Sequence, residues 1–324
     1  MNAPRHRLLV GLALGAALAS SGCSGTPTSL QPALPATSRD VAPAARHAKQ
    51  ILYVLVNVGT YGSYVALYDA YGKNAQPIGK ITQGLYNPGA IWVDAKGNVY
   101  VGNDMTYTSS VVEYAPGSTK PKRTYRNGID LPFGGTVDSG GTMYVSVAGI
   151  KHYIEGGVAV FPRRKMKPST FLTENVYVPH GLATDANGNL FVAVIFGDQS
   201  SVVEFPAGSS QSSALPLNDL DSGAFLEDLK LDADNDIVVA DANLNAVRFY
   251  PPPYKDESMA LTTGLSAPTA LAYGRDGSLF VGNEYVNPAH GNVVVFPPGA
   301  TKPARTIVNG ITGGVLGVAT SPSD

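Results

Sequence analysis

The chain of 324 residues contains a single cysteine, Cys23, and few charged residues. One thiol cannot form an internal disulfide or supply a cysteine-only zinc site. Charged side chains make up 15% of the sequence, against about 25% in an average soluble protein. The 23 basic and 25 acidic residues form no long block of one sign. We therefore expect no nucleic-acid partner.

Signatures of common catalytic sites are also missing. The sequence has no Gly-x-Ser-x-Gly nucleophile motif and no glycine-rich phosphate loop that opens a helix. No segment beyond the first twenty residues shows sustained helical periodicity. No catalytic residue is assigned, and binding is favoured over catalysis.

The start of the chain is typical of an export signal. Arg5 and Arg7 precede an apolar run at Leu8–Ala19, which is too short for a permanent membrane span of about 20 residues. Cleavage after Ala17-Leu18-Ala19 would give an ordinary secreted protein. Alternatively, Ser20-Ser21-Gly22-Cys23 resembles the lipobox of bacterial lipoproteins, although Ser20 stands where an aliphatic residue is usual. We favour the lipoprotein because the only cysteine falls where a signal should end.

A spacer follows the signal. Residues 24–49 are rich in Ser, Thr, Pro and Ala and have no apolar period, so they cannot bury enough surface to offset their ordering entropy. We divide the chain into a signal peptide (1–22), a disordered linker (23–49) with a lipid on Cys23, and a folded body (50–324). This predicts export across the inner membrane to the cell envelope, periplasmic or surface-exposed, with membrane contact only through the lipid.

The folded body contains one unit six times. An aromatic residue that closes an apolar run recurs every 44–47 residues, at Tyr68, Tyr114, Phe161, Phe205, Phe249 and Phe296. The centre of a second apolar run recurs with a similar period, at Tyr53, Tyr100, Tyr144, Phe191, Val238 and Phe280. Each unit has four short runs rich in β-branched and aromatic residues, separated by Gly, Asn, Asp and Pro. Four strands in about 40–45 residues are typical of a propeller blade, so we predict an all-β, six-bladed β-propeller.

The two ends of this body are predicted to share a blade. The tail at Gly317–Ser321 matches Gly181–Asp185, which is an innermost strand, and the chain stops where the next strand should begin. The run at Ile51–Val56 supplies that strand and has no innermost strand before it. Pairing of these two segments would close the ring and leave no free edge at the seam.

The best-preserved unit resembles an NHL repeat. Pro88–Asn103 contains the pattern Val-Asp-x-x-Gly-Asn-Val-Tyr-Val-x-Asn, and weaker copies lie at Pro132–Val147, Pro179–Val194 and Pro268–Asn283. The resemblance covers about residues 50–324 and implies an NHL-like propeller. Because NHL-like propellers include enzymes, receptors and scaffolds, the resemblance is specific for fold and not for activity.

One face of such a propeller is the candidate binding surface. We call it the mouth face: it carries the loops between the second and third strands and the loops that enter each innermost strand. The opposite face, which we call the hairpin face, carries the Asp-x-x-Gly hairpins between the first and second strands. Predicted ligand-binding residues on the mouth face are Asn57, Tyr61, Asn103, Asp104, His152, His180, Glu227, Asp228, Asp241, Asn283 and Glu284. They predict a site for a small polar ligand, a glycan or an envelope protein, unless these loops are simply polar and exposed.

A divalent metal in the channel is an alternative. His152 and His180 lie on adjacent blades, Glu227 stands in another loop that enters an innermost strand, and His290 is two blades away. The resemblance implies channel histidines on a metal in NHL-like lyases, and a Glu, Asn and Asp set in gluconolactonase-like relatives. Neither set can be assembled fully, so no cofactor is assigned. A metal-dependent lactonase or lyase and a passive surface scaffold remain alternatives to the binding module.

Two charged segments have ordinary interpretations. Asp232–Asp236 invites comparison with a calcium loop, but the loop lacks glycine at position six and has Asn243 at position twelve. It aligns with the hairpins of other units, so an acidic β-turn is predicted. Arg163–Lys167, the one basic run, occupies a turn between a third and a fourth strand and is interpreted as a solvated turn.

Overall fold

The computed structural model describes residues 49–59, 62–73, 75–104, 108–148, 156–218, 220, 223–287 and 290–321. The predicted signal peptide, Cys23 and nearly all of the spacer lie outside these ranges. Within the described residues there is no helix of the length and apolarity needed to span a membrane.

The described chain forms six sheets of four antiparallel strands each, ordered below from the innermost strand outwards. Blade 1 contains β24 (Gly314–Ser321), β1 (Ile51–Asn57), β2 (Tyr64–Asp69) and β3 (Gly79–Ile81). Blade 2 contains β4 (Pro88–Val93), β5 (Val99–Asn103), β6 (Ser110–Tyr114) and β7 (Pro121–Tyr125). Blade 3 contains β8 (Pro132–Val137), β9 (Met143–Val147), β10 (Gly157–Phe161) and β11 (Thr170–Leu172).

The other three blades repeat this order. Blade 4 contains β12 (Val178–Thr184), β13 (Leu190–Phe196), β14 (Gln199–Phe205) and β15 (Ser213–Ala214). Blade 5 contains β16 (Leu226–Leu231), β17 (Ile237–Asp241), β18 (Ala246–Tyr250) and β19 (Met259–Leu261). Blade 6 contains β20 (Pro268–Tyr273), β21 (Leu279–Asn287), β22 (His290–Phe296) and β23 (Arg305–Ile307). The predicted six-bladed propeller is therefore confirmed.

The ring closes as the sequence predicts. Strand β24 pairs antiparallel with β1, and Val54 lies opposite Val318 in that ladder. The first and last strands thus belong to one sheet, whose outer strands are β2 and β3. Because both of these valines are buried, the seam has the same apolar packing as a continuous blade.

Apolar residues pack between neighbouring sheets. Five of the six repeated aromatic residues of the third strands are at most 1% exposed, and the sixth, Phe249, is 7% exposed. Phe296 of blade 6, for example, belongs to the same buried cluster as Val238 and Phe249 of blade 5. Each fully buried aromatic side chain contributes about 2–3 kcal/mol of hydrophobic free energy, so the repeated aromatic position holds the blades together.

The hairpins between first and second strands use one aspartate each as a turn acceptor. Asp94 Oδ1 accepts hydrogen bonds from the backbone N–H groups of Lys96 and Asn98, at 2.9 Å each. Asp232 accepts in the same way from Asp234 and Asp236, at 2.9 Å each. The aspartate side chain thereby mimics a backbone turn, and the acidic segment at Asp232 repeats the arrangement of its sister hairpins.

Candidate functional site

Every innermost strand contains a β-bulge near its mouth-face end. The bulged residues are Gly89, Phe133, His180, Glu227, Thr269 and Leu316; in blade 4 the bulge also includes Gly181. A bulge takes a residue out of the ladder and re-aims its side chain. Because the innermost strands surround the axis, these six positions lie around the mouth of the channel. We call them the bulge ring.

In blades 3 and 4, a glycine at or directly after the bulge lies where neighbouring innermost strands approach most closely. A Cβ atom on Gly181 would lie 2.2 Å from the backbone nitrogen of Leu229, and one on Gly134 would lie 2.5 Å from the carbonyl oxygen of His180. These positions require glycine because the backbone of the next blade occupies the space. The Pro-x-Gly segments at Pro132 and Pro179 carry this signal in the sequence.

His180 and Glu227 form the polar centre of the bulge ring. His180 Nδ1 lies 3.1 Å from Glu227 Oε2. The imidazole stacks on Phe133 with ring centroids 4.9 Å apart, and its edge contacts Phe225 at 5.6 Å. Three consecutive blades therefore meet in one aromatic and acid–base cluster. The His180 side chain is 9% exposed and that of Glu227 is 26% exposed, so the carboxylate is the more accessible partner.

His180 and Glu227 alone do not make the predicted metal site. Among the residues that the structure describes, no group of three or more His, Cys, Asp or Glu side chains is placed to hold a metal ion. His152, the histidine expected beside His180, lies outside the described residues, as does Tyr61. A divalent metal at this site stays a prediction.

Both carboxylate oxygens of Asp228 accept hydrogen bonds from other groups of the protein. Its Oδ1 accepts hydrogen bonds from Lys230 Nζ at 2.6 Å and from the backbone N–H of Leu229 at 2.8 Å. Its Oδ2 accepts from the backbone N–H of Leu271 at 2.8 Å. Since Leu271 belongs to the innermost strand of blade 6, Asp228 links two blades across the channel wall.

Asn103 and Asn283 occupy equivalent positions in two second strands, at the end of β5 and within β21, and each fastens the loop that enters its blade. Asn103 Oδ1 accepts from the backbone N–H of Tyr86 at 3.0 Å, and its Nδ2 donates to the carbonyl oxygen of Gly84 at 2.9 Å. Asn283 makes the matching bonds to Ser266 N–H at 3.0 Å and to Gly264 O at 2.9 Å. Both side chains are buried, so their amides stabilise loops.

Asp241 and Asn57 have related contacts. Asp241, which is fully buried, accepts from the backbone N–H groups of Phe225 at 3.1 Å and Leu244 at 3.2 Å. Asn57 Oδ1 accepts from Gly59 N–H at 2.9 Å and from the Ser63 hydroxyl at 3.1 Å. Four of the predicted ligand-binding residues therefore shape the mouth-face loops from within.

The last two predicted residues are more open. Asp104 is partly buried, and burial together with the neighbouring Asp130 raises the pKa of its carboxyl group. Glu284 hydrogen-bonds the side chain of Tyr285 and raises the pKa of that phenol. Both residues lie on the mouth face: Asp104 directly follows β5, and Glu284 lies in the mouth-face half of β21.

Exposed apolar side chains gather on the mouth face, and the alignment of the repeats predicted few of them. Among the described residues eleven large apolar side chains are exposed, and eight lie in mouth-face loops or at the strand ends beside them: Val58, Tyr86, Tyr177, Val178, Phe196, Leu244, Tyr285 and Val308. The rings of Tyr177 and Phe196 lie 4.2 Å apart. Aromatic residues that fall in loops, outside the period of the strand cores, are the sequence signal that would have found Tyr86, Tyr177 and Phe196.

A cavity occupies the half of the channel nearest the hairpin face. It has a volume of about 490 Å³ and is lined by all six innermost strands, including Trp92, Thr136, Lys230 and Leu271. Hairpin residues such as Ala95 and Ser139 form its rim. The sequence predicts only turns on this face. The cavity is lined by residues of six strands that are distant in sequence, so no local sequence pattern indicates it.

Comparisons with known proteins identify the fold. No protein-family model and no curated protein matches the chain. A structure of a nidogen/laminin complex is similar over 85% of this chain and 99% of its own, with a TM-score of 0.67 and 16% identity. TolB from Acinetobacter baumannii is similar over 85% of this chain and 67% of its own, with a TM-score of 0.64 and 12% identity.

A further similar structure is a protein of unknown function from Bacteroides caccae, which covers 84% of this chain and 99% of its own with a TM-score of 0.62 and 10% identity. At these identities the likeness extends to the fold alone. The predicted NHL repeat stays a prediction.

Proposed function

We propose that this protein is a cell-envelope binding module that holds a protein partner on its mouth face. The observation that carries the proposal is the concentration of exposed apolar side chains there, eight of the eleven among the described residues. Two of them, Tyr177 and Phe196, adjoin each other with ring centroids 4.2 Å apart, and contiguous exposed apolar surface marks interaction sites. Aromatic residues such as Tyr177 and Phe196 are enriched at protein interfaces, where they bury much area at low entropic cost.

The spread of these side chains favours a protein over a small ligand or a glycan. They come from five blades, and four of them are aliphatic: Val58, Val178, Leu244 and Val308. Aromatic faces suit a sugar ring, but scattered aliphatic side chains need apolar groups on the partner. A partner that touches several blades at once must be a macromolecule.

Acidic residues on the same face indicate the charge of that partner. Asp104 and Asp130 are close enough to raise the pKa of Asp104, and Glu227 is partly exposed at the channel mouth. We infer that the partner presents lysine or arginine at these points. Opposite charges at the rim speed association and make it sensitive to salt.

Fold analogy and the sequence add further support. One similar structure is that of a protein complex, nidogen with laminin, so the same fold takes part in protein assembly there. The predicted signal and Cys23 support a location in the envelope, with the lipid as the membrane contact.

Photo-crosslinking tests the proposal. A photoreactive phenylalanine analogue is placed at Phe196 or Tyr177 and, as controls, at Tyr71 and Met166, which are exposed away from the mouth face. The first two positions should give a discrete crosslinked protein in cells of the source organism, and the controls should not. Equal products from all four positions, or binding of a purified glycan that is lost in Phe196→Ala, would contradict a protein partner on this face.

The His180–Glu227 contact favours a second candidate, a metal-dependent lactonase or lyase. A histidine held by a carboxylate at 3.1 Å is the arrangement that fixes a metal-binding imidazole in place. Elemental analysis of the purified protein tests it: a stoichiometric divalent metal that is lost in His180→Ala supports the enzyme, and a metal-free protein contradicts it.

A further inference from the structure

A groove lies between blades 2 and 3 on the hairpin face, away from the mouth face. Its volume is about 400 Å³. The hairpin after β4 and the outer strands of blade 2 form one wall. The hairpin after β8 and the turn between β10 and β11 form the other. The basic run at Arg163–Lys167 therefore borders a concave surface that two blades build together.

The groove is strongly basic. Among the described residues, the cations that line it are Lys96, Lys122, Arg123, Arg163, Arg164 and Lys165, and the lining carboxylates are Asp94, Glu113 and Asp138. The groove thus has an excess of three positive charges, although the whole chain has a formal net charge of −2. Such a concentration of one sign in a cleft focuses the field and attracts counter-ions.

Each of the three carboxylates accepts hydrogen bonds from groups of its own blade. Asp94 accepts from the backbone of its hairpin and from the Tyr100 hydroxyl at 3.1 Å. Asp138 accepts from the backbone N–H of Thr142 at 2.8 Å. Glu113 is buried, with Oε1 2.6 Å from Lys122 Nζ and Oε2 2.9 Å from the Tyr125 hydroxyl. Among the described residues, none of the three forms an ion pair with Arg163, Arg164 or Lys165.

Four of the cations have no acidic partner. In the described part of the chain, the ion pairs of this groove involve Lys122 and Arg123 with Glu113. Lys96, Arg163, Arg164 and Lys165 form none, and all four are exposed. Since Lys96 lies on the wall of blade 2 and the other three lie on the wall of blade 3, the unpaired charges face one groove from both sides.

Arg164 has an unusual backbone for an arginine. Its φ is 64°, in the left-handed region that favours glycine. The corresponding residues in the turns of blades 2, 4 and 6 are glycines with positive φ, namely Gly117, Gly208 and Gly299. Blade 3 therefore carries a guanidinium where three sister blades use the residue that the turn prefers. The turn itself favours glycine, so the backbone conformation does not account for an arginine at this position.

We propose that this groove binds an anion that carries at least two phosphate groups. Guanidinium forks bind phosphate oxygens through two parallel hydrogen bonds, and Arg163 and Arg164 supply two of them on one wall. Lys96 supplies a point charge on the other wall. An excess of three charges is not neutralised by a single phosphate, and the volume of about 400 Å³ falls in the range of small-ligand sites. This site is independent of the mouth face and its partner.

Titration calorimetry of the full chain with tripolyphosphate tests the proposal. Arg164→Gly is the key variant, because glycine suits the turn and the protein should remain folded with an unchanged or higher melting temperature. We expect its dissociation constant to rise about tenfold, with a larger loss in Arg163→Ser/Lys165→Ser. The matched control is Lys302→Ser, in the corresponding turn of blade 6, and it should bind as the parent does. An Arg164→Gly protein that binds tripolyphosphate as tightly as the parent overturns the proposal.

Three further arms define the ligand. Citrate, which has a similar charge but only carboxylates, should bind at least about tenfold more weakly than tripolyphosphate; equal binding overturns phosphate recognition. Vesicles that contain phosphatidylinositol 4-phosphate are compared with vesicles of phosphatidylcholine alone. Binding to the former assigns the site to a lipid headgroup, and binding to tripolyphosphate alone assigns it to a soluble phosphate ester. A short oligothymidylate that binds more tightly than either contradicts the proposal in favour of nucleic acid.

Discussion

Val54 in the first strand of the propeller lies opposite Val318 in the last, and both side chains are buried. The two residues are far apart in sequence, so their contact closes the ring. The bulge ring and the channel exist only if the sixth blade meets the first, and both therefore depend on this closure.

A disulfide across the seam tests ring closure. Directly opposed residues of antiparallel strands have Cα atoms about 4.5–5.5 Å apart, within the range of a disulfide. In a Cys23→Ser background, Val54→Cys/Val318→Cys should oxidise completely, and oxidation should stabilise the protein by about 5 kcal/mol on the chain-entropy estimate. Free-thiol titration and denaturant unfolding measure both effects.

The control for this disulfide is a pair displaced by two residues. Leu52 lies opposite Thr320, so Leu52→Cys/Val318→Cys places its thiols on a diagonal, with Cα atoms about 7–8 Å apart. This pair should stay mostly reduced. Equal oxidation of both pairs would mean that the seam is not held in the register described.

The close approach of the innermost strands predicts different outcomes for two glycines of the bulge motifs. Gly181→Ala places a Cβ atom 2.2 Å from the Leu229 nitrogen and should destabilise the fold by about 2–4 kcal/mol, because the backbone of blade 5 cannot yield easily. Gly89→Ala meets nothing closer than 3.8 Å and should change stability by less than about 1 kcal/mol. Denaturant unfolding of both variants checks the difference, and similar losses would contradict the packing around the axis.

The buried amide of Asn283 predicts that its removal lowers the free energy of unfolding. Asn283→Ala leaves Ser266 N–H and Gly264 O without their partner, which should cost about 2–3 kcal/mol of unfolding free energy. The matched control is Asn127→Ala, an exposed asparagine in the loop that enters blade 3, with an expected change within about 0.5 kcal/mol. An Asn283→Ala protein as stable as this control would refute the structural role.

The raised pKa of the Asp104 carboxyl predicts that the parent protein loses stability as pH rises and that a neutral substitute at this position avoids the loss. Folding raises this pKa through burial and through Asp130, so the folded protein binds the proton more tightly than the unfolded chain. Stability is therefore lost as pH rises above the unfolded value of about 4. Asp104→Asn should be more stable than the parent by at most about 0.5 kcal/mol at pH 7, because solvent screens a partly exposed group, and equal to it near pH 3. If the difference in unfolding free energy between Asp104→Asn and the parent is the same at pH 7 and pH 3, the raised pKa of Asp104 is contradicted.

The fold was predictable because its signals repeat. The buried aromatics from Tyr68 to Phe296 recur at one period, and the tail at Gly317 matches the innermost strand at Gly181, so periodicity alone indicates six blades and a shared seam. The hairpin aspartates could likewise be assigned, because Asp-x-x-Gly is a local turn signal.

The site was only partly predictable. Alignment of the units placed His180 and Glu227 on one face, but not their contact at 3.1 Å, which depends on bulges in two different blades. The same alignment could not separate an accessible polar residue from Asn103, whose buried amide donates its hydrogen bond to the carbonyl oxygen of Gly84. Burial of a polar side chain is set by neighbours distant in sequence, and the local pattern does not contain them.

The dissociation constant of the crosslinked partner tests the central claim most directly. Tyr177→Ala/Phe196→Ala removes two aromatic side chains whose rings lie 4.2 Å apart on the mouth face, and Ile78→Ala removes one exposed side chain away from it. The account predicts at least a tenfold weaker complex for the double variant, as for interface hot spots, and an unchanged constant for Ile78→Ala. A double variant that binds as tightly as the parent would contradict a binding function on this face.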